Sequence, residues 1–152
     1  MIEKLQLVNL VPEVSTDEIE ISSPEINRPA LQLAGYFEHF ASERVQIIGY
    51  VEYTYLKSLD RDVKMANYEQ FLSSDIPCVI YSPRTEPDED MIELAKKYHK
   101  PLLSSHRITS DLMAEVIRWL GVELAPCISI HGVLMDVYGE GILIMGESGI
   151  GK

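Results

Sequence analysis

The sequence is short of cysteine, of basic residues and of long apolar runs, and each shortage closes off a class of protein. Its 2 cysteines, Cys78 and Cys127, each follow a proline and open an apolar run. They read as reduced core thiols of a cytoplasmic protein, with neither a disulfide framework nor metal-ligand spacing. Thirteen Lys and Arg face 24 Asp and Glu, for a formal charge of −11. Such a surface repels phosphate backbones and anionic lipid, so neither nucleic acid nor membrane is an expected partner. No stretch reaches the roughly 18 consecutive apolar residues of a membrane span. Met1 to Leu10 carries Glu3 within a broken apolar run, which is not a signal peptide. The acidic clusters Asp17-Glu18-Glu20 and Glu86 to Asp90 lack ligand spacing and read as solvated faces, so no metal site is expected. What remains is a folding composition, 46% apolar and 24% charged, over 152 residues. That length holds one domain, or one domain and the beginning of another.

Along the chain, short β-rich runs alternate with helical ones. Leu5 to Val11 reads as a strand and Glu18 to Ile21 as a shorter one. Pro29 opens a helix whose face is Leu33, Ala34, Phe37, Phe40 and Ala41. Val45 to Gly49 reads as a buried strand. Residues 51 to 73 form one or two helices with Tyr53, Leu56, Met65, Tyr68, Phe71 and Leu72 as their stripe. Pro77 introduces a strand, Cys78 to Tyr81. The next helix begins at Pro87, holds Asp88, Glu89 and Asp90 in its first turn and Lys96, Lys97 and Lys100 in its last, and stops at Pro101. That charge order suits the helix dipole. Leu102 to Ser104 is a strand. Thr109 or Ser110 then caps a helix with the stripe Leu112, Met113, Val116, Ile117 and Leu120, ended by Gly121. The alternation predicts an α/β fold, a mostly parallel sheet with helices on both faces. After Pro126 only β-rich runs remain, broken by Gly132, Gly139 and Gly141. A boundary near Ala125 thus divides an N-terminal α/β domain, 1–125, from the first strands of a second domain, 126–152.

The chemistry is concentrated in the last seven residues. Gly146-Glu147-Ser148-Gly149-Ile150-Gly151-Lys152 satisfies G-x-x-x-x-G-K directly after an apolar strand. Glycines let the backbone curl so that successive N–H groups face phosphate oxygens, and the lysine adds a mobile cation. The pattern normally continues with Ser or Thr, whose hydroxyl holds Mg²⁺, and the sequence stops before it. His131 and Asp136, taken alone, read as ordinary strand or turn residues. Ser104 to Ser110 joins a strand to a helix N-terminus, where hydroxyls, an arginine and free N–H groups suit a small anion. A simple N-cap beside a solvated arginine accounts for it more economically. The tyrosines Tyr50, Tyr53 and Tyr55 read as core packing.

From His131-Gly132 through Asp136-Val137-Tyr138-Gly139-Glu140-Gly141 to Gly146–Lys152, the sequence resembles the stretch that opens the catalytic domain of bacterial HPr kinase/phosphorylases. Asn27 to Phe37 resembles that family's first helix, and Glu43 to Gly49 with Glu52 to Leu56 resembles the family's next segment, so the likeness runs from about Asn27 to Lys152. The phosphate loop alone is shared by many folds; its pairing with His-Gly 21 residues upstream of Lys152 is more specific. The resemblance implies a bifunctional protein-serine kinase using ATP and Mg²⁺ to phosphorylate HPr, the phosphocarrier of the bacterial sugar phosphotransferase system. It also implies removal of that phosphate by inorganic phosphate, control of carbon catabolite repression, a hexamer and a cytoplasmic location. His131 and Lys152 take the catalytic roles, and Gly146, Glu147, Ser148, Gly149, Ile150, Gly151 and Lys152 wrap the nucleotide phosphates. The remaining ligands of such a site lie beyond residue 152, so the 152 residues alone are expected to be inactive. The competing reading is a ligand-sensing or assembly α/β domain attached to an ABC-type or other P-loop ATPase. ABC-type domains place the loop within their first ~40 residues, without a long α/β domain before it.

Overall fold

A computed structural model describes residues 2–125. The chain begins with one helical turn, α1 (Ile2–Leu5), and only then a two-residue strand, β1 (Val8–Asn9). The single strand expected over Leu5 to Val11 is therefore corrected. Leu7 N–H donates to the Ile2 carbonyl, and Gln6 sits at φ 56, so the chain reverses out of the left-handed region. That reversal buries Leu5 and Leu7 in the same cluster. Glu18 to Ile21 forms no strand either. Ile19 and Ile21 pack from a loop, and the second strand is β2 (Ile26–Asn27).

The helix expected after Pro29 is a single turn, α2 (Ala30–Leu33). Gly35, at φ 100, ends it: Tyr36 N–H donates to the Leu31 carbonyl and Gly35 N–H to that of Gln32. The apolar spacing beyond it is used by a loop instead. Phe37 and Phe40 meet edge to face at 5.8 Å, and Phe40 stacks obliquely on Phe71. β3 (Val45–Ile48) leads into α3 (Tyr50–Lys57) and α4 (Arg61–Leu72), two pieces as the stripe allows. β4 (Val79–Tyr81) is followed by α5 (Glu89–Tyr98), whose N-cap Asp88 accepts a hydrogen bond from Met91 N–H at 2.9 Å. After β5 (Leu102–Ser104) comes α6 (Thr109–Glu123). Two details of α6 differ from expectation. Its N-cap is Ile108, with no capping side chain, and Gly121 lies inside the helix with open space where a Cβ would stand.

The five strands lie in the order β1-β5-β4-β3-β2, with β2 to β5 parallel and β1 antiparallel at the edge. This is the mostly parallel, helix-flanked α/β fold. One face is covered by α2, α3, α4 and α5 through Leu33, Leu56, Tyr68, Phe71, Leu72, Met91, Leu94 and Ala95. The other is covered by α1 and α6 through Leu5, Leu112, Val116 and Leu120, against Val45, Ile47, Cys78, Ile80 and Leu103. Strand alternation divides the sheet residues between the two clusters. Successive connections running one way across a parallel sheet place their helices on one face when they share a hand, which is where α2 to α5 lie. Among the described residues α6, which follows β5, lies on the other side with α1. The expected division into domains near Ala125, and the strands expected after it, fall at or beyond the end of the described residues.

Candidate functional site

His131, Asp136, Cys127 and the phosphate loop Gly146–Lys152 lie outside the described residues. The described chemistry gathers at the carboxyl edge of the parallel strands. Register sets it up: Ile48 pairs with Tyr81 and Tyr81 with Ser104, so Gly49, Ser82 and Ser105 form the next row across the sheet. Ser82 N–H donates to the Ile48 carbonyl at 3.0 Å and Ser105 N–H to that of Tyr81 at 2.9 Å, which carries the ladder one residue past the strands. By alternation this row faces the α6 side, the side of Ile47, Ile80 and Leu103.

At Gly49 the row is filled by a charged cluster. Glu52, only 4% exposed, accepts from Arg28 Nε at 2.9 Å, Arg28 Nη2 at 2.7 Å and Gly49 N–H at 3.0 Å. A Cβ on Gly49 would stand 2.6 Å from Arg28 Nη2, so glycine admits the guanidinium. Arg28 also reaches the Met113 sulfur of α6 at 3.5 Å. At Ser105 the hydroxyl accepts from Arg107 N–H at 3.0 Å. Between them the Ser82 hydroxyl, buried at 2% exposure, has no partner among the described residues, and neither has the buried Arg107 Nε. The segment Ser104 to Ser110 is thus not a simple cap beside a solvated arginine: no side chain caps α6, and Arg107 is half-buried. The tyrosines are also reassigned. Tyr50 and Tyr55 are exposed, Arg84 lies 4.7 Å over the Tyr50 ring, and Lys57 lies 4.5 Å over that of Tyr53.

On the opposite face, Asp88 Oδ2 accepts from Lys64 at 2.8 Å and from the Tyr68 hydroxyl at 3.0 Å, beside a pocket of about 190 Å³ that Tyr81 also lines. Burial first, and the Asp88 carboxylate second, hold the Tyr68 hydroxyl protonated far above the usual tyrosine range. In this arrangement Tyr68 acts as a hydrogen-bond donor to Asp88. A wider cleft of about 490 Å³ lies at the other end of the sheet, walled by Glu13, Glu18, Glu20, Asp75, His99 and Lys100. Among the described residues no group of His, Cys, Asp and Glu is placed to hold a metal ion, and no helix is long and apolar enough to cross a membrane.

Fold and sequence together define a class: an α/β domain with a mostly parallel sheet whose chain continues into a phosphate-loop motif. The family model for the HPr Serine kinase N terminus matches residues 1–120, and that for the HPr Serine kinase C-terminal domain matches residues 122–152. The chain belongs to the HPr kinase/phosphorylase family. It is 51% identical over 152 residues to the HPr kinase/phosphorylase of Lachnoclostridium phytofermentans, covering all of this chain and 49% of that one. With the protein of the same description from Alkaliphilus metalliredigens the identity is 49% over 132 residues, 87% of this chain and 43% of the relative. With that from Caldicellulosiruptor bescii it is 43% over 152 residues, covering 49% of the relative. The chain therefore spans about half the length of the curated relatives it matches. A solved structure of the CBS and DRTGG domains of the regulatory region of Clostridium perfringens pyrophosphatase, complexed with its activator diadenosine tetraphosphate, superposes at a TM-score of 0.51. The identity is 16%, over 76% of this chain and 44% of that one, which shows a shared fold and nothing more.

Proposed function

We propose that residues 1–125 are the regulatory or assembly domain, and residues 126–152 the opening of the catalytic domain, of an enzyme that phosphorylates a serine of HPr with ATP. The same enzyme returns that phosphate to inorganic phosphate, releasing pyrophosphate, and so sets carbon catabolite repression in the cytoplasm as a hexamer. The observation that carries this reading is the order of the two family matches along one chain, with the phosphate-loop motif inside the second. In it, the amides of Gly146 to Gly151 hold nucleotide phosphates, and Lys152 neutralises charge on the β- and γ-phosphates as the phosphoryl group moves. ATP would supply the phosphoryl group, and Mg²⁺, when bound, would screen its charge. His131 binds phosphate or serves the reverse reaction. The 152 residues alone carry out neither reaction.

The test uses the chain extended through its native continuation, incubated with HPr, ATP and Mg²⁺ and read by intact mass. One phosphate on an HPr serine, removed again by excess inorganic phosphate, is the expected result. ATP hydrolysis by the folded protein without transfer would overturn the reading and favour an ABC-type or other P-loop ATPase.

A further inference from the structure

We propose that the carboxyl edge of β4 and β5 is a second anion site, distinct from the phosphate-loop motif, built to take a small dianion: inorganic phosphate or a phosphomonoester. The first argument is charge. With 24 acidic residues against 13 basic ones, an arginine in this chain seldom lacks a carboxylate. Arg28, Arg44, Arg61 and Arg118 are all ion-paired. Arg84 and Arg107 form no ion pair among the described residues; Arg84 is exposed and lies over the Tyr50 ring, whereas Arg107 is half-buried with its Nε unpartnered. They occupy equivalent places: Ser82-Pro83-Arg84 follows β4 and Ser105-His106-Arg107 follows β5, and Tyr81 pairs with Ser104, so the two Ser-x-Arg loops leave adjacent strands in register. A guanidinium whose Nε is buried without a protein partner, as that of Arg107 is, calls for an anion or a water to meet it.

The second argument is the Ser82 hydroxyl. It is 2% exposed, lacks a partner among the described residues, and shares the α6-facing row with Ser105 and the arginine-covered Gly49. It can donate to an oxyanion lying between the two loops.

Topology gives the third argument. The connection after β4 leads to α5 on one face, and that after β5 leads to α6 on the other. Adjacent parallel strands whose following loops part to opposite faces open a crevice at their carboxyl ends, the usual ligand position in open α/β sheets. In this sheet β4 and β5 are such a pair. The fifteen-residue α6 starts there with no capping side chain, so its first N–H groups are free to receive the same anion. Two acids lie on the same helix: Asp111 in its first turn, and Glu115, which is already bound to Arg118 at 2.6 Å.

The experiment is a titration of the isotopically labelled 152-residue chain with inorganic phosphate, followed by amide chemical shifts. We expect saturable shifts at Ser82, Ser105, Arg107, Thr109 and Ser110 with Kd of about 1 mM or tighter. They persist in Lys152→Ala, which disables the phosphate loop, and in Arg61→Gln, which removes an arginine elsewhere on the surface. Arg107→Gln and Ser82→Ala, each confirmed folded by its amide spectrum, weaken binding about ten-fold or more. Shifts confined to residues 146–152 and abolished by Lys152→Ala would overturn the proposal. So would edge shifts indifferent to both Arg107→Gln and Ser82→Ala, or no shifts at about 10 mM. A parallel titration with glycerol phosphate separates the two ligand sources: whichever probe binds more tightly identifies free phosphate or an ester, and equal failure of both refutes the site.

Discussion

The cluster of Arg28, Glu52 and Gly49 allows a sharp test of how the carboxyl edge is held together. Glu52 is nearly buried and accepts three hydrogen bonds, whereas the Arg28 side chain is 32% exposed. The two single truncations are therefore unequal. Glu52→Ala leaves the Gly49 N–H without its acceptor, at about 1–3 kcal/mol, and Arg28 can turn to water at about 0–1 kcal/mol. Arg28→Ala strands a carboxylate with one remaining donor. Breaking a buried pair in that way costs about 3–5 kcal/mol, and the lower end applies because water reaches the space Arg28 leaves. Arg28→Ala/Glu52→Ala removes the stranded charge along with its partner. We expect about 3 kcal/mol for Arg28→Ala, about 2 for Glu52→Ala and about 3 for the pair together, a coupling of about 2 kcal/mol. Urea unfolding with unchanged slope, followed by circular dichroism, reads each value. In a domain of this size the arginine variant should melt about 6–12 °C lower. Because Glu52 is shielded, most of the coupling should survive about 1 M salt, unlike that of the exposed Arg61–Asp90 pair. Additive single and double values, within about 0.5 kcal/mol, would show the cluster to be an ordinary surface pair and refute this account.

Three further outcomes are expected from the structure. Gly35→Ala should destabilise by about 2 kcal/mol in the same unfolding assay, because φ is +100 and the new Cβ would lie 3.3 Å from Asn67 Oδ1; a loss below about 0.5 kcal/mol would refute the need for glycine. Cys78 is fully buried and its thiol is pushed up to about 12 by that burial, so in a Cys127→Ser chain it should react with a disulfide reagent only as fast as the domain opens; labelling at the rate of free cysteine under native conditions would contradict this. The Tyr98 hydroxyl, then Lys97, holds the Glu69 carboxyl below its ordinary 4.5. Its stabilisation is thus present above that value and lost as pH falls through the lower folded one, so the deficit of Glu69→Gln relative to the parent should shrink as pH is taken down from 4.5. A deficit unchanged by acid would remove the carboxylate from the explanation.

What could be read from the sequence was what local chemistry decides. β3, β4 and β5 are apolar runs, the last two introduced by Pro77 and Pro101, and α5 carries its acid-to-base charge order and amphipathic stripe in full view. The failures sit where a single backbone reversal outweighs periodicity. Gln6, His39, Arg84 and His99 all adopt positive φ, and none is a residue that announces it. Gly35 does announce it, yet the apolar spacing continuing through Phe37 and Phe40 reads as more helix when it is a loop packing on Phe71. The two-residue strands β1 and β2 are too short for any alternation to show. The phosphate-loop motif stands out in the sequence because it is contiguous, and His131 only through the resemblance; both lie outside the described residues. The Arg28–Glu52 pair was not, since its members stand 24 residues apart in sequence.

The carboxyl edge shows why such a site hides from sequence reading. Ser104 to Ser110 stood out by its hydroxyls and arginine, but Ser82-Pro83-Arg84 did not, and alone it resembles any proline turn. The two become a pair only through the register of Tyr81 with Ser104. Their loops part only because α5 and α6 pack on opposite faces. Neither fact is local. Register comes from the whole parallel ladder, and the face of α6 goes with β5 being the last parallel strand among the described residues, with Val45, Ile47, Ile80 and Leu103 still to cover. A helix with the same stripe following β3 or β4 would lie with α4 and α5, and the loops would then run side by side without parting. Strand order and helix face thus decide whether two serines and two arginines amount to a site, and both are properties of the assembled sheet.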